Sequence, residues 1–449
     1  MDIVIIGASF AGLSAAIECR TLYENARVTV IDREEEVGYF PNALNWKLTG
    51  KISDWHQARI ELLDQVLQLE ITCQFSTECI DISPENSSIT LEHKGKRDTK
   101  KFDKLILAMG ASQSWDWADQ SLEPFFIKTK TYSQLQQSFH LLSKAKSVAV
   151  IGAGQIGLES LDALSRLDLE LHVFEAQDSI LAKYTDAEMV ENLGKILKER
   201  GIIPHLGETV NRIELNEGKQ GLEVYTMKGN YQVDLVLPST NLRPNQAIVK
   251  EKFELLPNGT IWTDDYLETS QNNIFAVGDL VSLPVDYFGR AYYPMIQHAI
   301  MTGRMAAQNL FDKKSVLSKA QRIVSTQVFG YYVTSLGLTE SGATLWLDSQ
   351  SIRIQRELSK WDCRLVDFKL IVEKETGRIL GSQLVSESDC FEQMNTLSLA
   401  ISQGLTVYDL VKQSWLCLPG KTPLIPLMVE AAQEWIRQNN GEKEEEYAD

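Results

Sequence analysis

The chain carries two copies of the glycine-rich turn with which proteins bind dinucleotides. The first copy is VIIGASFAG, residues 4–12, and the second is VAVIGAGQIG, residues 148–157. In each copy a strand pattern rich in β-branched residues runs into small residues and then into a helical pattern. The first glycine allows a tight turn, the second position lets the backbone approach a pyrophosphate, and the third lets the helix pack on the strand. The pyrophosphate then lies against the unpaired N–H groups of the helix N-terminus, so two copies predict two dinucleotide sites.

Each turn is followed by the acidic residue that such a site needs for the ribose. Asp32 ends an apolar run twenty positions after Gly12, and Glu175 ends a similar run eighteen positions after Gly157. A carboxylate at this point accepts hydrogen bonds from a ribose diol. An ordinary strand–helix turn is the alternative for either copy alone, but two complete copies favour binding. Ser9 stands at the middle glycine position of the first copy, and its small side chain still allows close approach.

Charge and residue spacing exclude several classes of function. The formal net charge is −17 over 449 residues, which disfavours a nucleic-acid or anionic-membrane partner. The sequence opens on a strand pattern and has no apolar run of about eighteen residues, which predicts no signal peptide, no membrane span and a cytoplasmic protein. The six cysteines form no CxxC pair and the six histidines no HExxH pattern, so we predict no metal site.

The patterns divide the chain into two similar repeats and a different C-terminal part. Residues 1–110 and 146–240 each indicate strand, helix and strand, whereas the part after residue 322 alternates strands and helices. The predicted elements there are the strands Ile352–Gln355, Arg364–Val372 and Ile379–Leu384 and the helices Cys390–Gln403 and Leu424–Gln438. The predicted fold class is α/β, with two Rossmann-like dinucleotide-binding domains plus a C-terminal α+β domain. The acidic residues 439–449 are predicted to be a frayed tail.

Further segments give the chain a family resemblance. They are Arg243–Asn245 (RPN), Leu256–Gly259 (LPNG), Thr269-Ser270 followed by Ile274–Asp279 (IFAVGD), and Pro294–Ala299 (PMIQHA). With the two turns, they make residues 1–438 resemble the FAD-dependent pyridine nucleotide–disulfide oxidoreductases, in the group of NADH oxidases, NADH peroxidases and coenzyme A-disulfide reductases. The resemblance implies a discontinuous FAD-binding domain (1–112 and 245–318), an NAD-binding domain (113–244) and a C-terminal dimerisation domain (319–438). It therefore also implies a homodimer.

The resemblance assigns FAD to the first turn and NADH to the second. Asp279 matches the aspartate on the ribityl chain, and the helix after Pro294 points its N-terminus at the flavin, where it stabilises the charge of reduced flavin. Glu175 has no Arg or Lys in the next several positions, which favours NADH over NADPH. Glu159 matches a helix carboxylate common in the group, with a solvated helix residue as the alternative. The implied FAD-binding residues are Gly7, Ser9, Phe10, Ala11, Gly12, Asp32, Arg33, Asn42, Ala108, Met109, Gly110, Gly278, Asp279, Pro294, Gln297 and Ala299. The implied NAD-binding residues are Gly152, Gly154, Gln155, Ile156, Gly157, Glu159 and Glu175.

Two positions depart from the group in the residues that carry its chemistry. Asn42 stands where the group has its redox cysteine, and an amide can neither form a thiolate nor be oxidised by peroxide. Phe10 stands where the group has a histidine, and a phenyl ring gives no proton. Both are candidate catalytic positions whose role stays open.

The departures continue at positions that cover the flavin in the group. Gln155 replaces a tyrosine, and Leu418–Lys421 replaces a segment that reaches the partner subunit's flavin. Cys417 beside that segment offers a thiol in place of the missing one, although a buried structural cysteine is the commoner case. Tyr331, Tyr332 and Trp415 line either the neighbour's site or, more commonly for such residues, an interface or core.

These residues leave three functions open. In the leading one, NADH passes a hydride to FAD, and the electrons leave to oxygen with hydrogen peroxide as the product, or to a small acceptor such as a quinone. The second is a disulfide or coenzyme A-disulfide reductase that uses another thiol. The third is a non-catalytic flavin- and NADH-binding redox sensor, since a fold does not guarantee an activity.

Overall fold

A computed structural model describes residues 1–446 except 219, 241, 287–288, 361 and 419–421. The strands are β1 (Asp2–Ile6), β2 (Arg27–Ile31), β3 (Thr72–Gln74), β4 (Glu78–Ser83), β5 (Ser88–His93), β6 (Lys96–Lys101), β7 (Lys104–Leu107), β8 (Ala111–Gln113), β9 (Ser147–Ile151), β10 (Glu170–Glu175), β11 (Ile202–Leu206), β12 (Val210–Leu215), β13 (Leu222–Thr226), β14 (Asn230–Val233), β15 (Leu235–Pro238), β16 (Leu242–Pro244), β17 (Ile274–Ala276), β18 (Leu283–Val285), β19 (Gly289–Ala291), β20 (Ile323–Val328), β21 (Tyr331–Gly337), β22 (Ser349–Ser359), β23 (Asp362–Glu373) and β24 (Ile379–Ser386). The α-helices are α1 (Phe10–Leu22), α2 (Ala43–Leu48), α3 (Glu61–Gln68), α4 (Tyr132–Leu142), α5 (Gln155–Leu164), α6 (Ala187–Glu199), α7 (Ile296–Asn309), α8 (Glu340–Ala343), α9 (Phe391–Ser402), α10 (Val407–Val411) and α11 (Leu427–Glu446). Short 3₁₀ helices span Trp55–Ala58, Pro84–Asn86, Gln120–Phe125 and Gly278–Leu280.

The chain divides into two compact units. The first combines Met1–Ala145 with Thr240–Lys319, and the second combines Lys146–Ser239 with the chain from Ala320 onward. Each unit therefore contains one of the two glycine-rich turns. The division into three domains with the bounds given above stays a prediction.

The first unit is built on a parallel sheet with the order β17-β7-β1-β2-β3. Ile3, Val4 and Ile5 in the central strand have no exposed surface, as expected for a central parallel strand whose two faces are both covered. From β1 the chain moves to β2 and β3 on one side, and later to β7 and β17 on the other. The change of direction opens a crevice at the carboxyl end of β1, which is where open α/β sheets bind ligands.

The second unit repeats this plan with the parallel order β11-β10-β9-β15. Its first strand, β9, again lies between the strand that follows it and a later one, β15. Ala149 and Val150 of β9 are fully buried. The second crevice therefore lies at the carboxyl end of β9, directly before Gly152.

The C-terminal part of the second unit is an antiparallel sheet with the order β20-β21-β24-β23-β22. Helices α9 and α11 pack on it around a core that includes Phe368, Leu397 and Trp435. Together with the two parallel sheets, it confirms the predicted α/β class with a separate α+β part. Among the described residues, no helix combines enough length and apolar character to cross a membrane.

The prediction of a frayed tail from residue 439 is wrong for most of that segment. Helix α11 continues to Glu446. Asn439 donates to the Trp435 carbonyl and to Gln350 Oε1, at 2.9 Å each, which fixes the start of the segment. The Glu and Lys residues that follow have high helix propensity, so they extend the helix although they are charged.

Candidate dinucleotide-binding sites

The first turn closes so tightly that two of its positions admit only glycine. Gly7 has φ +110°, and a Cβ atom there would lie 2.2 Å from the Ala108 carbonyl oxygen. A Cβ atom at Gly12 would lie 1.9 Å from the Gly7 carbonyl oxygen. Helix α1 begins directly after Ser9, whose side chain makes no capping hydrogen bond. The N–H groups at this helix end are thus presented to an anion, as a pyrophosphate site requires.

Asp32 is fixed to this turn by backbone donors. Its carboxylate accepts hydrogen bonds from the Ala8 N–H at 2.7 Å and the Glu34 N–H at 2.9 Å. Arg33 between them is exposed, with its guanidinium 3.6 Å from the Glu34 carboxylate. The acidic residue found by spacing therefore lies at the turn itself, in a fixed orientation.

The second turn reproduces the same geometry. Gly152 has φ +103°, and a Cβ atom at Gly157 would lie 2.0 Å from the Gly152 carbonyl oxygen. Glu175 accepts from the Ala153 N–H and from the Gln177 N–H, at 2.9 Å each. The two acidic residues are thus held by equivalent pairs of donors in the two units.

The middle glycine position leaves more room for a side chain than the other two glycine positions. A Cβ atom at Gly154 would meet only the Tyr184 ring, at 3.7 Å, which is an ordinary contact. This explains in steric terms why Ser9 is compatible with the same turn in the first unit. Ile156, the next predicted contact, is 39% exposed on the first turn of α5.

A second group of predicted FAD-binding residues lies in the second segment of the first unit, Thr240–Lys319, and packs against helix α1. Gly278 donates its N–H to Thr302 Oγ1 at 2.9 Å, and a Cβ atom on it would lie 3.0 Å from the Ala11 Cβ and 3.6 Å from the Ala299 Cβ. A Cβ atom at Gly303 would lie 2.2 Å from the Ala11 carbonyl oxygen. Helices α1 and α7 therefore cross in close backbone contact, which fixes the positions of both helix N-termini. Thr302 and Gly303 were missed by sequence reasoning.

The loop after strand β7 and the segment Arg243–Asn245 are joined by hydrogen bonds. Asn245 donates its side-chain N–H to the Met109 carbonyl at 2.8 Å and its backbone N–H to the Gly110 carbonyl at 3.0 Å. Pro294 is half-buried and Gln297 is exposed at the start of α7. The loop 108–110 and the re-entering chain therefore form one border of the first crevice.

Two polar groups beside this border lack partners within the described protein. Asp279 is half-buried, burial raises the pKa of its carboxylate, and no described residue donates a hydrogen bond to it. The Tyr292 hydroxyl is buried and unpartnered, and burial together with nearby Asp279 raises its pKa. Buried polar groups normally have partners. An acceptor and a donor left open here fit a polyhydroxylated cofactor with amide and phosphate groups, such as FAD.

The second turn includes a polar cluster that the sequence left undecided. Glu159 Oε1 accepts from Gln155 Nε2 at 3.0 Å and from Thr326 Oγ1 at 2.7 Å. Gln155 also donates to the Ser325 carbonyl at 3.0 Å. Glu159 is therefore a bonded, half-buried carboxylate and not a solvated helix residue.

Comparison with known proteins agrees with this geometry. The family model described as pyridine nucleotide-disulphide oxidoreductase matches residues 1–308. The chain belongs to this family. It is similar to an NADH oxidase of Enterococcus faecalis, 28% identical over 91% of this chain and 94% of that protein. Among solved structures it is similar to a pyridine nucleotide-disulfide family oxidoreductase of Enterococcus faecalis (TM-score 0.86, 32% identity, 98% of this chain and 100% of that one) and to a water-forming NADH oxidase of Lactobacillus brevis bound to NADH (TM-score 0.92, 25% identity, 98% and 99%).

Within this family fold, an aromatic ring stands at one of the two departing positions and an amide side chain at the other. Phe10 opens helix α1, is 9% exposed, and packs edge-on against Phe40 with ring centroids 5.4 Å apart. Phe40 packs in turn on Trp46 at 5.1 Å. Asn42 lies between them in the chain, half-buried, and its carbonyl accepts from the Trp46 N–H at 3.0 Å. Phe10 therefore adds an apolar ring at one departing position, whereas the other position keeps the polar side chain of Asn42.

None of the three cysteines of the first unit supplies an activated thiol in place of the cysteine that is missing at position 42. The unit contains Cys19, Cys73 and Cys79, and burial raises the pKa of each thiol, to about 12 for Cys79. Such thiols are protonated at neutral pH and are poor nucleophiles. In the second unit Cys417 is exposed, and part of the neighbouring predicted segment, residues 419–421, lies outside the described residues.

Three carboxylates of the second unit, from Asp186, Glu188 and Glu340, lie within 4.8 Å of one another. The ammonium group of Lys369, which is 1% exposed, pairs with all three, 3.0 Å from Asp186. The lysine supplies the positive charge that this cluster requires.

Proposed function

We propose that this protein, an FAD-dependent NADH oxidoreductase, transfers the electrons of NADH to oxygen and releases hydrogen peroxide, without a redox cysteine. The observation that carries the proposal is the aromatic packing of Phe10 with Phe40 beside Asn42. The relatives named NADH oxidase support oxygen as the acceptor.

The residues of both crevices fit the two cofactors. Asp32, Asp279 and Tyr292 would hold FAD in the first unit, and Glu159 and Glu175 would hold NADH in the second. Bound flavin supplies hydride acceptance and reactivity toward oxygen. The protein contributes two helix N-termini for the pyrophosphates and a carboxylate at each turn for the ribose.

Because Asn42 stands where the family has a thiol, we expect the reduction of oxygen to stop at hydrogen peroxide. Oxidation of one NADH by one oxygen consumes one proton and balances as NAD⁺ and hydrogen peroxide. Reduction of the peroxide to water requires a second electron pair and a thiolate to attack the peroxide bond. Asn42 offers an amide and Phe10 a phenyl ring, so neither can take part in that second reduction.

The test is the stoichiometry of aerobic turnover. We expect equal amounts of NADH and oxygen to be consumed and an equal amount of peroxide to appear, with half of the oxygen returned by catalase. Two NADH per oxygen without peroxide would contradict the proposal. An anaerobic NADH titration is expected to stop at two electrons per FAD, and uptake of four would reveal a second redox group. Turnover no faster than that of free flavin would instead favour a binding or sensing role.

A disulfide reductase is the second candidate, because Cys417 presents an exposed thiol. In that case the protein oxidises NADH with coenzyme A disulfide, and Cys417→Ala abolishes the reaction. The exposed Cys363 provides a matched control in Cys363→Ala. Peroxide-forming turnover that survives in both variants supports the cysteine-free reaction.

A further inference from the structure

Two histidines of the second unit link two carboxylates in a row of close polar contacts. His172 in β10 and His205 in β11 lie side by side, with His172 Nδ1 3.0 Å from His205 Nε2. His172 Nε2 lies 2.9 Å from Glu170 Oε1, and His205 Nδ1 lies 3.7 Å from Glu208 Oε2. We call these four residues the histidine chain. Its members His172 and Glu208 are buried, and the reaction proposed above uses none of the four.

The carboxylate of Glu170 determines where the protons of the two neutral rings lie. A carboxylate only accepts hydrogen bonds, so His172 Nε2 carries a proton and His172 Nδ1 is left as an acceptor. His205 Nε2 must then donate to it, which leaves His205 Nδ1 without a proton. This bare nitrogen faces Glu208 Oε2, also an acceptor, and their separation of 3.7 Å is longer than a hydrogen bond. The neutral chain is therefore bonded at the Glu170 end and open at the Glu208 end.

One added proton completes the histidine chain. On His205 Nδ1 it creates a donor to Glu208, and a charge-assisted hydrogen bond of about 2.7–2.9 Å replaces the contact between two acceptors. A proton on His172 has the same result, because the two bonded rings titrate as a pair. The other oxygen of Glu208 already accepts from Thr226 Oγ1 at 2.5 Å and from the Tyr231 hydroxyl at 2.9 Å. The new bond would therefore hold a carboxylate that is fixed on its other side.

The surroundings of His205 keep this proton off at neutral pH. Burial lowers the pKa of His205, His172 and Lys228 lower it further, and Glu208 opposes them. The Tyr231 ring packs edge-on against His205, with centroids 4.4 Å apart. Helix α6 also packs on β11, and the side chains that it buries are apolar: Met189, Val190, Leu193 and Leu197. The chain therefore takes up its proton only below the usual histidine range, at a pH under about 6.5.

The open end of the chain is bonded to the segment that carries the predicted ribose acceptor. The Glu208 N–H donates to the Glu175 carbonyl at 2.8 Å, and the Gly207 N–H donates to the Gln177 carbonyl at 2.9 Å. The Gln177 N–H in turn donates to the Glu175 carboxylate at 2.9 Å. Glu208 thus supports the backbone that positions Glu175, so a bond that fixes Glu208 also fixes this segment.

We propose that the histidine chain is a proton-operated switch that tightens nucleotide binding at Glu175 in acid. Two effects have the same sign. The bond from His205 fixes Glu208 and the segment bonded to it, and the added positive charge attracts the diphosphate of the ligand. Coupling between two sites is reciprocal, so the nucleotide also raises the proton affinity of the chain. The inference rests on the proposed function, where it links NADH affinity to acidity in a reaction that consumes a proton.

The test measures the binding of ADP-ribose to the flavin-loaded protein by calorimetry, at about pH 5.5 and about pH 7.5. ADP-ribose contains the adenosine ribose and the diphosphate, is stable in acid, and has no group that titrates in this range. Its Kd is expected to be roughly fivefold lower at the lower pH, a typical coupling between two sites. Titrations in two buffers of different ionisation enthalpy are expected to show that binding takes up part of one proton.

Two substitutions fix the switch in opposite states. His205→Gln keeps a donor toward His172 but cannot become charged, so its Kd is expected to stay at the weak value at both pH values. Glu208→Gln places an NH₂ donor opposite the bare His205 Nδ1 and completes the chain without a proton, so its Kd is expected to stay at the tight value. The matched control is His140→Gln, at an exposed histidine of α4 in the first unit, and it is expected to keep the full pH dependence.

A Kd of the unmodified protein that does not change with pH, or a change that persists in His205→Gln, would overturn the switch. If His205→Gln does not fold, Glu208→Gln decides alone, because a pH dependence as steep as that of the unmodified protein contradicts the proposal. Failure of the proposed function gives a different result: peroxide formation is absent while ADP-ribose binding keeps its pH dependence.

Discussion

The crossing of α1 and α7 can be tested by one added methyl group, at Gly303. A Cβ atom there would lie 2.2 Å from the Ala11 carbonyl oxygen and 3.2 Å from the Ala11 Cα. Both atoms belong to the backbone of α1, so no side-chain rotation can relieve the contact. The two helices have to separate by roughly 1 Å to restore ordinary contact distances. Because the N-termini of these helices form the first crevice, the separation also disturbs the flavin site.

The magnitude follows from two opposing effects. Overpacking of a buried contact costs about 1–3 kcal/mol, whereas alanine gains about 0.5–1 kcal/mol over glycine inside a helix. Overpacking outweighs propensity, so Gly303→Ala is expected to lower the free energy of unfolding by roughly 1–2 kcal/mol. Gly194 in α6 provides the control, since a Cβ atom there meets nothing within 4 Å. Gly194→Ala is expected to show only the gain.

Thermal unfolding of both variants, followed with flavin content after buffer exchange, gives the measurement. For a unit of this size each kcal/mol shifts the Tm by about 2–4 °C. Gly303→Ala is therefore expected to melt several degrees below the unmodified protein and to retain less flavin, and Gly194→Ala to melt slightly above it. A Gly303→Ala protein that melts as high as Gly194→Ala, with full flavin, would refute the close crossing.

Three further results are expected. Glu175→Ala removes the acceptor of the Ala153 and Gln177 N–H groups, so the KM for NADH is expected to rise about tenfold or more, and an unchanged KM in steady-state assays would count against the assignment. Tyr292→Phe removes a hydroxyl without a partner in the protein, so the flavin-free protein is expected to keep or raise its Tm while the flavin Kd increases several-fold; unchanged flavin affinity would remove Tyr292 from the site. Burial lowers the pKa of His205 despite the opposing effect of Glu208, so the unfolded state binds a proton more readily and stability falls as the pH drops below about 6.5. Tm measured against pH is expected to lose part of this slope in His205→Gln, and an identical slope would show that another group causes it.

The parts of the fold that depend on local pattern could be predicted from the sequence. Strand β1 follows from a β-branched run, and the turn after it follows from Gly7 and Gly12, which the backbone geometry requires. The places of Asp32 and Glu175 follow from spacing along one strand–helix–strand unit. These features lie within about thirty residues of one another, so short-range rules suffice.

The remaining site residues depend on contacts between distant segments. Thr302 meets Gly278 and Thr326 meets Glu159 only because the fold brings their separate elements together, and no periodicity marks either threonine. Tyr292 is assigned to the site because its buried hydroxyl has no hydrogen-bond partner. Only the packed structure shows this, since it depends on which residues surround the hydroxyl. The continuation of α11 to Glu446 was missed because a run of charged residues is typical both of tails and of exposed helices.

The carboxylate at each glycine-rich turn has a consequence for engineering. In both units the acid accepts one hydrogen bond from the turn and one from the residue two positions further on. Replacing Glu175 to admit NADPH therefore removes a structural support as well as a repulsive charge, and a glutamine of the same shape would direct an NH₂ group at a backbone N–H. A substitution at Glu175 therefore changes both the choice of coenzyme and the hydrogen bonding of the turn. A successful exchange of coenzyme must bring a new acceptor for Ala153 together with the new cation for the phosphate.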